Sequence, residues 1–237
     1  RKRTFYFFWR DTAAPIFKYH RAPMKPLAEY MDEIQIGMLH HTQADIDEAR
    51  DKLFADPMVK FLIHKHGQDA ITIMRKYLVD KERANLSLNE YFLRAELMEE
   101  ATEWFAKEGY ERESKKLNRI VEKLSSGGNV WDGTFPMYPP HGTFATLIFR
   151  TMTAFHPRED RLLTVRECMH LMGLPHDFEL VTGETNNICQ NVPVCTARAM
   201  TEEVMGYIEG KRDLTNAAFL LQSNLTRTID VSQSSLL

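Results

Sequence analysis

Two arginines and a glutamate lie among apolar side chains in the stretch RLLTVRECMHLMGLPHDF, residues 161–178. Guanidinium and carboxylate groups can hold a charged ligand, so Arg161, Arg166 and Glu167 could belong to a site. Their spacing also has a structural explanation. Thr164 and Glu167 stand three residues apart, as in a capping box, where each side chain accepts a hydrogen bond from a backbone N–H at a helix start.

The residues that follow predict where this helix ends. Leu163 and Cys168 can pack against each other across the cap as a hydrophobic staple. Gly173 suits the left-handed position after the last turn, and Pro175 prevents any continuation. The sequence therefore predicts a short helix over residues 164–172, and the first explanation of its charged residues is structural.

A second polar group precedes another predicted helix near the end of the sequence. Gln190 and Asn191 come directly before the run VPV. Pro193 suits the first turn of a helix, which the pattern places at about residues 193–209. A polar pair at a helix start lies where backbone N–H groups face a ligand, so this segment is a candidate binding element.

The first nine residues combine basic and aromatic side chains and predict a strand that is buried on both faces. Side chains two residues apart on a strand project to the same face, so Arg1 and Arg3 point the same way, alongside Phe5 and Phe7. A buried cationic pair is costly unless an anion or an acceptor meets it. The partner is either a carboxylate elsewhere in the protein or a ligand, and the residues alone leave both open.

The cysteines and histidines form no metal or disulfide pattern. An odd number of cysteines without a C-x-x-C spacing argues against a disulfide framework and a zinc site, and favours a reducing cytoplasm. The pairs His40-His41 and His64-x-His66 lack matching cysteine or carboxylate spacing, so they are interpreted as surface residues. The three cysteines are Cys168, Cys189 and Cys195.

Composition bounds the class of protein. The 237 residues are 43% hydrophobic and 27% charged, which is typical of a globular protein with one substantial core or two smaller ones. No apolar run approaches the ~20 residues that cross a bilayer, and the N-terminus lacks the pattern of a signal peptide. The net charge is −3, yet seven cations face one acid within the first 25 residues. That local basic face is compatible with DNA contact or with a solvated edge.

Helical periodicity dominates residues 42–126. Thr42 and Asp45 predict one helix start, and Gly67 precedes a second helix. The first helix has three expected inner-face residues and the second has three more. These are Ile46, Ala49, Leu53, Ile71, Met74 and Leu78.

The run SLNE, residues 87–90, predicts another capping box, which opens a longer helical region. Gly109 marks a break in that region, and the pair GG at residues 127–128 marks its end. Residues 129–156 are rich in glycine, proline and aromatic residues, and predict loops and short strands. The helical block is therefore expected to be an inserted subdomain. Its remaining inner-face residues are Leu93, Leu97, Ala101, Trp104, Leu117, Val121 and Leu124.

Two segments, in order, resemble the cytosine-5 DNA methyltransferases. In that family a segment of the form HP…R-x-L-T-x-R-E…L-x-G-x-P-x-x-F is followed by Q-I-G-N-x-V-P-V and a terminal helix. The first pattern occurs in residues 156–178 and the second in residues 187–194. The basic start is similar to the end of the family's Q-x-R-x-R segment. The matching residues are His156, Pro157, Arg161, Leu163, Thr164, Arg166, Glu167, Leu171, Gly173, Pro175, Phe178, Ile188, Val192, Pro193 and Val194.

This resemblance implies an α/β fold. The chain would be the C-terminal part of a class I S-adenosylmethionine-dependent methyltransferase, Rossmann-like, with an inserted and largely helical target recognition domain. The last strands of the catalytic domain would lie in residues 1–19 and the recognition domain in 20–155, with its helical block at about 42–126. Residues 156–210 would return to the catalytic domain and supply a closing helix, and residues 211–237 would form a tail.

The resemblance also implies roles in catalysis and cofactor binding. Arg1 and Arg3 match the paired arginines that line the pocket of the flipped cytosine, and are the expected catalytic residues. Gln190, Asn191 and Val192 match the segment that closes the pocket of the cofactor, S-adenosyl-L-methionine. No residue is expected to bind a metal.

The segment around the capped helix matches the part of the family that organises the junction between recognition domain and catalytic core. The implied partners are double-stranded DNA and a missing N-terminal catalytic half or subunit, with no membrane. The implied setting is restriction-modification in the cytoplasm of a bacterial or phage-infected cell. The expected junction residues are Arg161, Thr164, Arg166 and Glu167.

The sequence also departs from the family. It contains no glycine-rich F-x-G-x-G, no Pro-Cys and no Glu-Asn-Val, and Cys189 stands where the family has glycine. Cys195 follows a valine and is not expected to be the nucleophile. Because the family reaction adds a cysteine thiolate to carbon 6 of the flipped cytosine, the chain is expected to be part of a longer chain or a split enzyme, and inactive alone. The alternatives are a non-catalytic DNA- or protein-binding module derived from the family, or a structural helical domain.

Overall fold

The fold consists mainly of helices in the part of the chain that the computed structural model describes, residues 25–80, 88–128, 137–142, 144, 154–180, 187–188 and 191–211. The strand predicted for residues 1–9 lies outside these residues. Within them, the only β pairing is at isolated bridges, Met38 with His41 and Phe155 with Leu162, so the predicted sheet stays a prediction. The helices are α1 (Leu27–Asp32), α2 (Gln43–Ala55), α3 (Pro57–His66), α4 (Ala70–Asp80), α5 (Leu88–Arg94), α6 (Met98–Lys107), α7 (Glu111–Ser125), α8 (Val165–Leu171) and α9 (Val194–Ile208).

The chain divides into two compact units. The larger unit is Met24–Asn191 and contains α1 to α8, whereas the smaller unit combines Arg1–Pro23 with Val192–Leu237 and contains α9. The predicted domain limits at residues 19, 155 and 210 do not coincide with the limits of these two units, and they stay predictions. None of the described helices is long and apolar enough to cross a membrane.

The sequence signals at the start of the helical block produce two helices. The side chain of Thr42 accepts a hydrogen bond from the N–H of Asp45, whose carboxylate accepts from the N–H of Thr42, so the predicted capping box is confirmed. The block then turns at Asp56, a break that the sequence analysis did not predict. The Asp56 side chain accepts from the N–H of Met58, and Pro57 occupies the first turn of α3, where its missing N–H costs nothing.

The longer helical region predicted after residue 87 is divided twice. Gly109 separates α6 from α7, as expected, with a φ of 81°. The other break was not expected: Glu96 adopts a φ of 57°, which ends α5 before α6 begins. Because of this interruption, α5 and α6 do not form one continuous helix with a single inner face. Leu93 is consequently 42% exposed, and its assignment to the inner face was wrong.

Apolar side chains of α2 to α7 form one core. The ring of Phe61 lies near its centre, with ring centroids 5.4 Å from Phe92, 5.7 Å from Trp104 and 6.0 Å from Phe105. Such edge-on and tilted contacts suit the quadrupoles of aromatic rings. The predicted core residues Ala49, Leu53, Ile71, Met74, Leu78, Leu97, Ala101 and Leu117 all belong to it.

A second apolar cluster joins α1 to α8. Leu27 and Met31 of α1 pack there with Leu163 and Met169. After the C-cap of α8, Gly173 has the predicted left-handed φ of 73°. Cys168 also lies in this cluster with Leu163, which fits the expected staple. This cluster positions the charged residues around α8.

Candidate functional site

Arg161 is the centre of a buried ionic cluster at the start of α8. Its side chain is 2% exposed, and its two terminal nitrogens donate to the carboxylate of Glu167 over 2.8 and 2.7 Å. Its Nε donates to Glu159 over 2.8 Å, and one terminal nitrogen also donates to the carbonyl of Leu162 over 3.0 Å. The guanidinium is thus enclosed by acceptors from its own segment.

Glu167 joins this ion pair to the helix cap. Its carboxylate accepts from the backbone N–H of Thr164 over 2.7 Å, while the Thr164 hydroxyl accepts from the N–H of Glu167 over 3.3 Å. The predicted capping box is therefore present, with all of its members buried. Burial acts to raise the pKa of Glu167, but the hydrogen bonds and charge of Arg161 outweigh it and lower that pKa. The carboxylate is held in its charged form.

The ring of His156 lies near the carboxylates of Glu159 and Glu167, and its hydrogen bonds select one tautomer. Its Nδ1 accepts from the backbone N–H groups of Glu159, over 2.9 Å, and Arg158, over 3.2 Å. A ring nitrogen that accepts two such bonds carries no proton, so the proton is on Nε2, which lies 3.6 Å from Glu167 Oε1. Burial lowers the pKa of His156 to about 4. The neutral ring therefore accepts hydrogen bonds from the backbone of the loop that precedes Arg161.

His41 reaches the cluster from the chain segment before α2. Its Nδ1 lies 2.9 Å from the hydroxyl of Thr164. The ring is 4% exposed, so the interpretation of His41 as a surface residue was wrong. Burial lowers its pKa, which favours the neutral ring beside Thr164. No local pattern predicts this contact, because its two residues are more than 120 positions apart.

The side chain of Arg166 holds two loops together through hydrogen bonds to backbone carbonyls. It is fully buried, and its Nε donates to the carbonyl of Leu39 over 2.7 Å. Its terminal nitrogens donate to the carbonyls of Pro175, over 2.9 Å, and Phe178, over 3.1 Å. Its backbone N–H donates to His40 over 3.3 Å. Burial lowers its pKa, and the carbonyl dipoles take the place of an anion.

Two further arginines, which the sequence analysis did not select, fix the loop that carries His156. Arg75 of α4 donates to the carbonyls of His156, Pro157 and Glu159 over 2.9, 2.8 and 2.5 Å. Arg158 donates to both carboxylate oxygens of Asp32, at the end of α1, over 2.5 and 3.3 Å. Arg75 occupies a half-buried helix position between core residues, so no sequence signal distinguished it from a solvated arginine.

The cluster is arranged for holding chain segments together. Each of the buried charged groups Arg161, Arg166 and Glu167 is satisfied by groups of the same unit, and none is left directed at an open space. Among the described residues, no group of three or more histidines, cysteines or acids could hold a metal ion. Of the four expected junction residues, Arg161, Thr164 and Glu167 are bonded to one another, whereas the side chain of Arg166 bonds the backbone of other segments. These contacts hold the start of α8 against the neighbouring chain segments.

The other predicted site residues are only partly described. Arg1, Arg3 and Gln190 lie outside the described residues. Asn191 is exposed, and its amide nitrogen donates to the carbonyl of Asn187 over 2.8 Å. In the smaller unit, Val192 is half-buried and Pro193 stands at the N-cap of α9, one position before the first turn where it was expected.

The comparisons with known proteins agree with the family resemblance. A family model of C-5 cytosine-specific DNA methylases matches residues 33–206. The putative type II methyltransferase M.MJ0563P of Methanocaldococcus jannaschii is 32% identical over 122 residues, which cover 46% of this chain and 39% of that relative. No solved structure matches.

The matched region includes the whole ionic cluster and the whole helical block, and it covers well over half of the chain. The chain belongs to the C-5 cytosine-specific DNA methylase family. Use of S-adenosylmethionine is a general property of that family. The chain spans about two fifths of the length of the archaeal relative.

Proposed function

We propose that this chain is the DNA-recognition and cofactor-closing portion of a DNA (cytosine-5-)-methyltransferase. Residues 20–155 would select the target sequence, and the segments after them would complete the catalytic domain. The nucleophilic cysteine and the assisting glutamate would come from a partner half or subunit, since the sequence contains neither Pro-Cys nor Glu-Asn-Val.

One observation carries this proposal: the chain segments that lie before and after the helical block in sequence are bonded to each other. The segment before the block contributes His41 to Thr164 and the carbonyl of Leu39 to Arg166. Within the block, Arg75 of α4 binds the loop at residues 156–160. An inserted domain is expected to begin and end at neighbouring points of its host, and contacts between the flanking segments fit that arrangement. The ionic cluster would fix the orientation of the recognition domain.

S-adenosyl-L-methionine would be the methyl donor, as in the family. Of the residues proposed to contact it, Asn191 lies in a bend before α9 and is exposed, so a polar ligand can reach its side chain. The amide groups of Gln190 and Asn191 would hydrogen-bond the cofactor, and Val192 would cover its apolar part. Arg1 and Arg3 would face the flipped base and stabilise charge that builds on the ring.

The recognition role is tested by exchange of the helical block. Residues 42–126 would be replaced by the corresponding block of a family member with another target, while residues 154–178 stay unchanged. The completed enzyme is expected to methylate the donor's target, read by bisulfite sequencing of a DNA library. An unchanged target in a folded, active hybrid would place recognition elsewhere. As a second test, the chain by itself should transfer no methyl group from labelled S-adenosylmethionine to DNA.

A further inference from the structure

Helix α7 carries a stripe of basic side chains that the sequence analysis did not identify. Successive residues of an α-helix are 100° apart, so residues spaced by three, four and seven share one face. Five cations of α7 fall within about 100° of its circumference by this spacing, and all five are exposed. They are Arg112, Lys115, Lys116, Arg119 and Lys123, and we call them the basic stripe.

The opposite face of α7 is the one that packs. Leu117 is 1% exposed in the core and Ser114 is buried beside it. The acids of α7 lie outside the stripe: Glu111 and Glu122 flank one side, and Glu113 lies toward the core. Lys115 reaches Glu111 over 3.4 Å, but both side chains are largely exposed, so water screens the pair.

The neighbouring helix has the opposite charge. α6 packs against α7 and carries three exposed acids, Glu99, Glu100 and Glu103, on its own solvated side. A surface that serves only solubility usually intersperses both signs. Here the cations of α7 outnumber its acids, which lie beside the stripe, whereas the acids of α6 outnumber its single cation. This difference points to an anionic ligand for α7.

We propose that the basic stripe binds phosphates along one strand of duplex DNA. From Arg112 to Lys123 the helix rises by about 16 Å, and a duplex strand presents roughly five phosphates over that axial length. A linear row of long, flexible cations fits a row of phosphates and contributes affinity without reading sequence. The inference rests on the proposed function, because the DNA-recognition role makes duplex DNA the anionic partner. An acidic protein surface is the competing occupant.

The test compares two matched double variants of the full-length protein. Arg119→Gln with Lys123→Gln removes two cations of the basic stripe. Arg50→Gln with Lys52→Gln removes the same two residue types from α2, where they pair with acids of their own helix. Glutamine has nearly the same helix propensity as lysine and arginine, and circular dichroism would confirm equal helix content. Duplex binding is measured from about 50 to 300 mM salt by fluorescence anisotropy.

The stripe variant is expected to bind duplex DNA at least tenfold more weakly at the lowest salt. The slope of log Kobs against log salt should fall in magnitude by about 2, because each lost phosphate contact removes roughly 0.9. The α2 variant should match the parent. Adding Arg112→Gln and Lys116→Gln should lower the slope further.

The outcomes separate this inference from the proposed function. If the parent binds no duplex at any salt, the proposed function fails. If the parent binds and the stripe variant keeps its affinity and slope, DNA contacts lie elsewhere and the stripe inference is overturned while the function stands. Equal losses in both double variants would show a general charge effect and overturn it too. Tighter binding to polyglutamate than to duplex DNA, abolished in the stripe variant, would assign the stripe to an acidic polypeptide instead.

Discussion

The two helices α7 and α8 use charge in opposite ways. α8 is seven residues long, and Arg166 and Glu167 within it are almost completely buried and bonded to other segments. α7 is fifteen residues long, and its cations face solvent while Leu117 packs inward. The buried charges of α8 hold neighbouring chain segments in one arrangement. The exposed cations of α7 are accessible to a ligand in solution.

This difference follows from how much apolar surface each helix can bury. α7 has apolar residues at helical spacing and docks on the core by ordinary packing, so its outer face is unconstrained. α8 is too short to be stable through its own hydrogen bonds and lies between loops. Its capping box and the buried arginines satisfy backbone groups that would otherwise be orphaned there. Substitutions of charged residues should therefore destabilise the protein strongly in α8 and hardly at all on the exposed face of α7.

The largest effect is expected for Glu167→Gln. Glutamine can still serve in a capping box, so the substitution removes the charge and keeps the cap. Arg161 is left buried with only the half-exposed Glu159 as its anionic partner. Loss of one member of a buried pair typically costs ~3–5 kcal/mol, and we expect about 3 kcal/mol in urea unfolding.

Two variants sharpen that result. Adding Arg161→Met to Glu167→Gln should recover part of the loss, because no unpaired charge then remains buried. Glu122→Gln, on the exposed surface of α7, should leave the unfolding midpoint unchanged. A loss in Glu122→Gln equal to that in Glu167→Gln would remove the distinction between the two helices.

Arg75→Met is expected to have the next largest effect. Methionine keeps much of the apolar stem but leaves the carbonyls of His156, Pro157 and Glu159 without their donor, which should cost roughly 2 kcal/mol. The Nε of Arg75 is itself buried without a partner, so its removal offsets part of the cost. Arg75→Lys should recover less than half, since one ammonium does not reproduce the planar fork. Chemical denaturation with tryptophan fluorescence measures all three proteins.

The pH dependence of stability should be smaller and have a defined sign. Burial lowers the pKa of His156 from 6.5 to about 4, so between these values the unfolded chain binds more protons and stability falls as pH falls. From pH 7 to pH 5 the ring should account for a loss of roughly 2 kcal/mol. His41, whose pKa burial also lowers, adds to the loss with the same sign. The carboxylates of Glu159 and Glu167 contribute in the same direction, mainly at lower pH.

The variant His156→Asn isolates that contribution. The asparagine oxygen can accept the backbone N–H groups that Nδ1 accepts, but it does not titrate. The variant should lose distinctly less stability between pH 7 and pH 5 than the parent, by urea denaturation at each pH. Identical pH profiles would show that His156 does not carry the dependence.

Several local features were predicted from the sequence, whereas the long-range contacts were not. The capping boxes at Thr42 and Thr164 depend on residues three positions apart, and Gly109 and Gly173 need only their own backbone, so all four features were predicted and are observed. The bond between His41 and Thr164 depends on the folded path of the chain, and it was missed.

The same reasoning explains the errors within the helical block. Leu93 fits the helical period with Leu97 if the helix is continuous, but the left-handed φ of Glu96 interrupts the helix. This break was not predictable, since glutamate seldom adopts a positive φ. Arg161, Thr164 and Glu167 were selected together because they are close in sequence, and their role as a junction stays a prediction. Arg75 and the basic stripe were not selected, since a half-buried arginine and a row of exposed cations both look like ordinary helix surface until the packed face is known.

The smallest effect is expected for Arg112→Gln in α7. The side chain is exposed and belongs to the basic stripe, so its removal takes away no buried contact and creates no unpaired buried charge. Glutamine keeps the helix propensity, and exposed substitutions of this kind seldom change stability. The melting temperature should move by less than about 2 °C, measured by calorimetry beside Arg166→Gln, whose buried carbonyl partners should make it melt at a clearly lower temperature. If Arg112→Gln melted as low as Arg166→Gln, charge on α7 would be structural, and the case for reserving it for a phosphate backbone would be lost.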